Sequence, residues 1–182
     1  DIGGGTTEVG VISLGGLVYA NSIRIAGDRV DEIISSHIRN KHGLLIGETT
    51  AEEIKKQIGS AHPETDNGEM TIRGRNAYQG LPKEITVNSA ELRESLKDTL
   101  DQMVTAIRQA LEATPPELSA DLIENGLTLT GGGALLRGLD ILINEETGLK
   151  VNIASEPLLC VAKGCGVALD YISDNRLYLN RI

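Results

Sequence analysis

Asp1-Ile2-Gly3-Gly4-Gly5-Thr6-Thr7-Glu8 opens the chain, and its reading decides the fold. Three consecutive glycines let the backbone turn through positive φ and approach a ligand with no Cβ in the way. Amides at such a turn can converge on an anion and make a nest for phosphate oxygens. Asp1 sets a carboxylate beside the turn that could hold Mg²⁺ directly or through water. Thr6 and Thr7 add hydroxyls able to bind phosphate or orient a water. Seen alone, the triplet is better explained as a hairpin turn beside a capping aspartate. A second triplet shifts that balance. Leu127-Thr128-Leu129-Thr130-Gly131-Gly132-Gly133-Ala134-Leu135-Leu136 sends an apolar β-type run into glycines and a helical run out of them. Ligands of α/β sheets bind at such strand-to-helix turns.

Neither turn fits a common nucleotide fingerprint. Glu8 stands where a dinucleotide fold places glycine or alanine, and no lysine precedes a Ser or Thr, so there is no Walker A loop. The motifs DIGGGTTE, GDRVDE, TAEEIKKQIG and LTGGGALLRGL, in this order and at these separations, resemble the C-terminal half of the MreB family of bacterial actin homologues. The resemblance runs from Asp1 to about residue 172. It implies an actin-like, ribonuclease H-like α/β ATPase half, with a mixed sheet flanked by helices and a small α+β insert. The buried strand that normally precedes such a phosphate turn is missing before Asp1, so the chain is expected to be a fragment lacking the N-terminal half.

What the resemblance implies for the site follows residue by residue. ATP or ADP with Mg²⁺ sits between the glycine turns, Gly3, Gly4 and Gly5 touching the β- and γ-phosphates and Gly131, Gly132, Gly133 and Ala134 underlying the α-phosphate and adenosine. Asp1 belongs to the Mg²⁺ shell and Thr6 to the attacking water. A glutamate upstream of Asp1 would be the main water-positioning group, so this chain by itself is not expected to be a working ATPase. Glu52, Glu53 and Lys56 lie within one helical turn and could meet a ribose or a base edge. Thr50-Ala51-Glu52-Glu53 also has the form of a capping box, and the two readings stand level.

Composition bounds the reading independently. The 182 residues suffice for one sizeable core with a smaller insert. A net charge of −9 and the lack of a basic patch argue against nucleic acid as a partner. No apolar run approaches the roughly 20 residues that cross a bilayer, and no signal peptide opens the chain, so the cytoplasm is the expected compartment. With no Trp or Phe, the core must rest on branched aliphatics. Cys160 and Cys165 read as buried structural thiols without a shared disulfide or metal. His37, His42 and His62 show no ligand spacing.

In chain order, Val9 to Ile12 and Leu17 to Ile25 flank Gly15-Gly16 and predict a hairpin. Val30, Ile33, Ile34 and Ile38 predict a helix stopped at His42-Gly43, with Asp28 and Asp31 read as charging its N-terminus in preference to a ligand role. Residues 59 to 68 read as a polar connection. Met70 and Ile72 pair with Ile85 and Val87 across a loop from Gly74 to Pro82. Asn88 and Glu91 cap a long helix whose stripe is Leu92, Leu96, Leu100, Met103, Val104, Ile107 and Leu111, ended by Pro115-Pro116. A helix from Leu135 to Gly148, a strand at Val151 to Ile153 and a last helix from Pro157 follow, and the tail from Ser173 is given no structure. In that last helix Gly164 and Gly166 predict tight packing against the absent half. The division expected is a core of residues 1–48 and 89–182, interrupted by an insert at 49–88.

Two functions fit. One is an ATP-dependent, self-associating filament protein of cell shape. It would partner with wall-synthesis membrane proteins and make peripheral membrane contact, with Arg73 and Arg75 of the insert candidates for a filament surface or an ordinary solvated loop. The other is a non-polymerising nucleotide- or sugar-binding module of the same superfamily.

Overall fold

The computed structural model describes residues 1–173; the expectation for the tail beyond Ser173 lies outside the described residues. The chain opens with a hairpin, β1 Thr7–Ser13 against β2 Gly16–Ile23. Its turn is Leu14-Gly15, both at positive φ (50° and 75°), while Gly16 already pairs with Ser13. Helix α1, Gly27–His42, follows and ends at Gly43 in the left-handed conformation (φ 62°), where a glycine pays no Cβ penalty.

Three strands form the second sheet in the order β3 Leu44–Leu45, β4 Glu69–Asn76, β5 Pro82–Asn88, all antiparallel. The first of these lies ahead of residue 49, because the short Leu44-Leu45 edge completes the sheet that the predicted hairpin only begins. Strand β4 runs on through Gly74 to Asn76, so the loop is shorter than expected. Within the strand position 74 needs glycine, because a Cβ there would come within 2.3 Å of the Leu45 carbonyl oxygen.

Helix α2, Glu48–Ile58, begins at Gly47, which has no side-chain cap. The capping box expected at Thr50 is therefore absent: Thr50 sits inside the first turn, and the Gly47 carbonyl accepts from the Ala51 amide. The long helix α3, Ser89–Glu112, has the predicted box, Asn88 Oδ1 accepting from the Glu91 amide at 2.9 Å. Its stripe is buried from Leu92 through Ile107. Pro116 opens a further helix, α4 Pro116–Asn125, at the favoured first position.

A parallel pair, β6 Leu127–Leu129 and β7 Val151–Ile153, closes the fold. Antiparallel and parallel pairing meet at Ile2, which bridges Thr7 and donates its amide to the Thr130 carbonyl at 2.9 Å. After the second glycine triplet the chain makes only a 3₁₀ turn, Gly132–Leu135, before α5 Leu139–Thr147. Leu135 and Leu136 are thus outside the helix, because Gly138 (φ 74°) interrupts it.

Ile34, Ile38, Leu44, Ile54, Leu92, Leu96, Leu139 and Ile143 are fully buried and form the centre of a core without aromatic rings. The connection at 59–62 is buried rather than solvated: Arg137 donates to the Gly59 carbonyl, to Asn67 Oδ1 and to Ser89 Oγ, and its own carbonyl accepts from Ala61. Helix α6, Cys160–Ser173, is exposed along nearly its whole described length. Consequently Cys165 is exposed and Cys160 half-buried, not core thiols. Gly164 and Gly166 have no atom within 4 Å of an added Cβ, so no part of the described chain packs on them.

Candidate functional site

Both glycine turns open on one cavity of about 900 Å³, a size suited to a small ligand. The seam between them is a short chain of hydrogen bonds, two of the backbone and one between side chains. Ile2 donates to Thr130, its carbonyl accepts from Gly133 at 2.8 Å, and Thr130 Oγ1 donates to Asp1 Oδ2 at 2.7 Å. The first turn is clamped from its other side by the start of α1, where the Gly27 and Asp28 amides donate to the Gly3 and Gly4 carbonyls at 3.1 and 2.8 Å.

These bonds decide which amides remain for an anion. Gly3 donates to Thr6, Gly131 to Pro157 and Gly133 to Ile2. Among the described residues the Gly4, Gly5 and Gly132 amides have no acceptor, so the nest narrows from the expected triplets to these three. Thr7 is also spent, its hydroxyl donating to the Ile25 carbonyl at 2.6 Å. Thr6 is half-buried and its hydroxyl has no hydrogen bond among the described residues.

Of the predicted residues, Asp1, Gly3, Gly4, Glu52, Lys56, Gly131, Gly132 and Gly133 line the cavity, and Gly5, Thr6, Glu53 and Ala134 do not. Ala134 is fully buried. The lining adds Asp28 and Asp31, for which charging the helix N-terminus is the reading preferred to a ligand role, and Lys55, which no motif marks. Lys55 Nζ donates to Asp31 Oδ2 at 2.7 Å and to the Gly27 carbonyl at 3.2 Å, bracing α1 on α2. Burial pushes the Asp31 carboxyl above the ordinary carboxylate range, against the opposing pull of Lys55. Asp31 Oδ1 is buried and has no partner among the described residues, an acceptor suited to a ligand hydroxyl. Glu52 is held below its ordinary range by the hydrogen bond and charge of Lys56, 2.7 Å away.

The electrostatics select among ligands. Five carboxylates, Asp1, Asp28, Asp31, Glu48 and Glu52, face the cavity against two ammonium groups, Lys55 and Lys56, each already paired. A bare phosphate would meet net repulsion here. Hard carboxylate oxygens beside free amides suit an anion accompanied by a hard cation such as Mg²⁺.

The histidines are not scattered as the sequence suggested. His37 and His42 meet edge to face, ring centroids 6.3 Å apart, beside Glu91. His62 is buried, its Nε2 lying 3.2 Å from Glu145 Oε2.

Comparison with known proteins agrees with this architecture. The chain is 55% identical over 172 residues to the cell shape-determining protein MreB of Escherichia coli, covering 94% of this chain and 50% of that protein. It is 51% identical to Mbl of Bacillus subtilis, covering 93% and 51%. Its structure is similar to that of MreB 5 of Spiroplasma citri bound to AMPPNP, with a TM-score of 0.91 at 40% identity over 96% of this chain and 52% of that one. The actin-like fold extends to the double helical filament of MamK, with a TM-score of 0.74 at 23% identity over 95% and 53%. The chain spans about half the length of the curated relatives it matches. Residues 1–176 match the MreB/Mbl protein family, and the chain belongs to it.

Proposed function

We propose that this chain is the nucleotide-binding half of an actin-like cytoskeletal protein whose ATP-dependent filaments organise cell-wall synthesis and maintain rod shape. The observation that carries the reading is the cavity in which two glycine turns, free amides and carboxylates converge. Two relatives of similar structure are described as bound to AMPPNP and to ADP, which supports ATP or ADP as its ligand.

In this reading the Gly4 and Gly132 amides on the cavity lining hold phosphate oxygens, the free Gly5 amide next in the turn joins them from outside that lining, and Asp31, Glu52 and Lys56 meet the nucleoside. Asp1, with Asp28 on the same cavity lining, would hold Mg²⁺, whose charge when bound offsets that of the β- and γ-phosphates. Thr130 fixes the Asp1 carboxylate through its hydroxyl, so that the remaining oxygen is oriented before a ligand arrives. Thr6, its hydroxyl free, orients water at the open turn.

The division into a core of 1–48 and 89–182 with an insert at 49–88 is part of the proposal, as is a filament contact at Arg73 and Arg75. Arg73 is 85% exposed in its side chain and pairs only with Glu84 among the described residues. Cell-shape and wall-synthesis membrane proteins, peripheral membrane contact and a cytoplasmic location complete it; no helix of the described residues is long and apolar enough to cross a membrane. Nucleotide-dependent pelleting of the full-length protein tests the filament reading. Sedimentation with ATP–Mg²⁺ is expected, and a protein that stays soluble at high concentration with ATP would favour a non-polymerising module.

A further inference from the structure

We propose that His37, His42 and Glu91 form a binding site for a divalent cation of the zinc class, separate from the nucleotide cavity. One ligand atom from each of the three lies within 4.8 Å of the other two. His42 Nε2 is 3.3 Å from both Glu91 carboxylate oxygens. A tetrahedral zinc with bonds of about 2.0–2.1 Å separates its ligand atoms by roughly 3.3–3.4 Å, so one edge of the polyhedron is already at its length.

The decisive atom is His37 Nε2, buried and without a hydrogen-bond partner among the described residues. A salt bridge between Lys41, His42 and Glu91 accounts for the other groups but leaves this nitrogen unexplained. Burial, opposed by Glu91, holds the His37 imidazole below its ordinary range, which keeps a lone pair available for a metal.

The supporting frame is rigid on both sides. Both histidines lie in the last turns of α1, just before the Gly43 reversal, where the helix dipole favours positive charge. Glu91 is fixed in the first turn of α3 by its capping box. Two imidazoles and one carboxylate suit Zn²⁺, with water as a fourth ligand.

Two cations compete. Lys83 Nζ donates to the His42 carbonyl at 2.6 Å and leaves the ring free. Lys41 bonds Glu91 Oε2, but its side chain is 51% exposed and can turn into solvent. Metal therefore displaces Lys41, and removing that lysine tightens binding. The far end of α1, whose first turn lines the nucleotide cavity, would be pinned to α3.

The test is calorimetric titration of Zn²⁺ into nucleotide-free, full-length protein with Cys160 and Cys165 changed to serine. One Zn²⁺ per site is expected, with affinity reduced at least tenfold in His37→Ala and in Glu91→Gln, and raised in Lys41→Ala. No saturable binding, equal affinity in His37→Ala, or weaker binding in Lys41→Ala would overturn the proposal. Histidine ¹⁵N spectra of the unsubstituted protein give a second readout that needs no variant to fold. Zn²⁺ should move the His37 and His42 resonances and spare His62; movement of His62 alone, or of none, would overturn it.

Discussion

At Gly5 an added Cβ would meet nothing within 4 Å, and at Gly4 only the Asp28 carboxylate, at 3.2 Å. At Gly133 the same atom would come within 2.2 Å of Ile2 Cγ2, and at Gly131 within 2.3 Å of the Ile2 carbonyl oxygen. Nothing within the described chain demands glycine at Gly5 and only Asp28 approaches Gly4, whereas the second turn is glycine largely for Ile2, which threads between its residues. Identical triplets in sequence answer to different forces. Substitutions in the first should be felt as lost ligand affinity and in the second as lost stability.

The largest expected effect breaks the second turn. Gly133→Val must displace Ile2 and the Gly133 to Ile2 hydrogen bond, an overpacking that costs about 3 kcal/mol. Urea unfolding without nucleotide should show it as a lower midpoint, and an unchanged midpoint would dissolve the contrast between the turns. Next is the open turn itself. Thr6→Ala in the full-length protein should lower ATP turnover on the order of tenfold while leaving affinity nearly intact, as expected for a water-orienting hydroxyl. Equal turnover would restrict the open turn to binding.

Smaller effects sharpen the same division between outward-facing and inward-facing groups. Charge reversal at Arg73 and Arg75 should raise the concentration needed for polymerisation by a few-fold and leave unfolding unchanged; intact polymerisation would return the loop to solvent. Glu91 faces inward. Burial alone would raise its carboxyl, but the Lys41 hydrogen bond and the charges of His42 and Lys41 outweigh it and hold it below its ordinary value of 4.5. A lowered folded value means stability that is present above that ordinary value and is lost as pH falls through the folded one. The stability advantage of the wild type over Glu91→Gln should thus shrink in acid, as measured by urea midpoints at neutral and acid pH.

Much of the fold was legible because it rests on local rules. The α1 and α3 stripes, the Asn88–Glu91 box and the glycine stops at Gly43 and Gly148 need only neighbours within a few residues. The failures came from distant partners. Residues 59–62 look polar, yet Arg137 pins them inside from almost 80 positions away. Pro115-Pro116 does end α3, and the helix α4 that it hides is a local matter, since Pro116 is also a good first helical residue. The thiols of α6 looked apolar enough for a core that the described chain does not place over them. Of the site, the two turns were readable from glycine spacing. Lys55 and Asp31 were not, because the ion pair that braces α1 on α2 joins residues whose separation carries no motif. Likewise His37 and His42 gain Glu91 only when the start of α3 folds back beside the end of α1.

If the open turn serves phosphate, closing it should cost affinity and not stability. Calorimetric titration of ATP–Mg²⁺ into full-length Gly4→Val, beside urea unfolding of the same variant, tests it directly. At least a tenfold loss of affinity is expected, with stability changed by less than about 1 kcal/mol. Unchanged affinity in a folded Gly4→Val protein would contradict it.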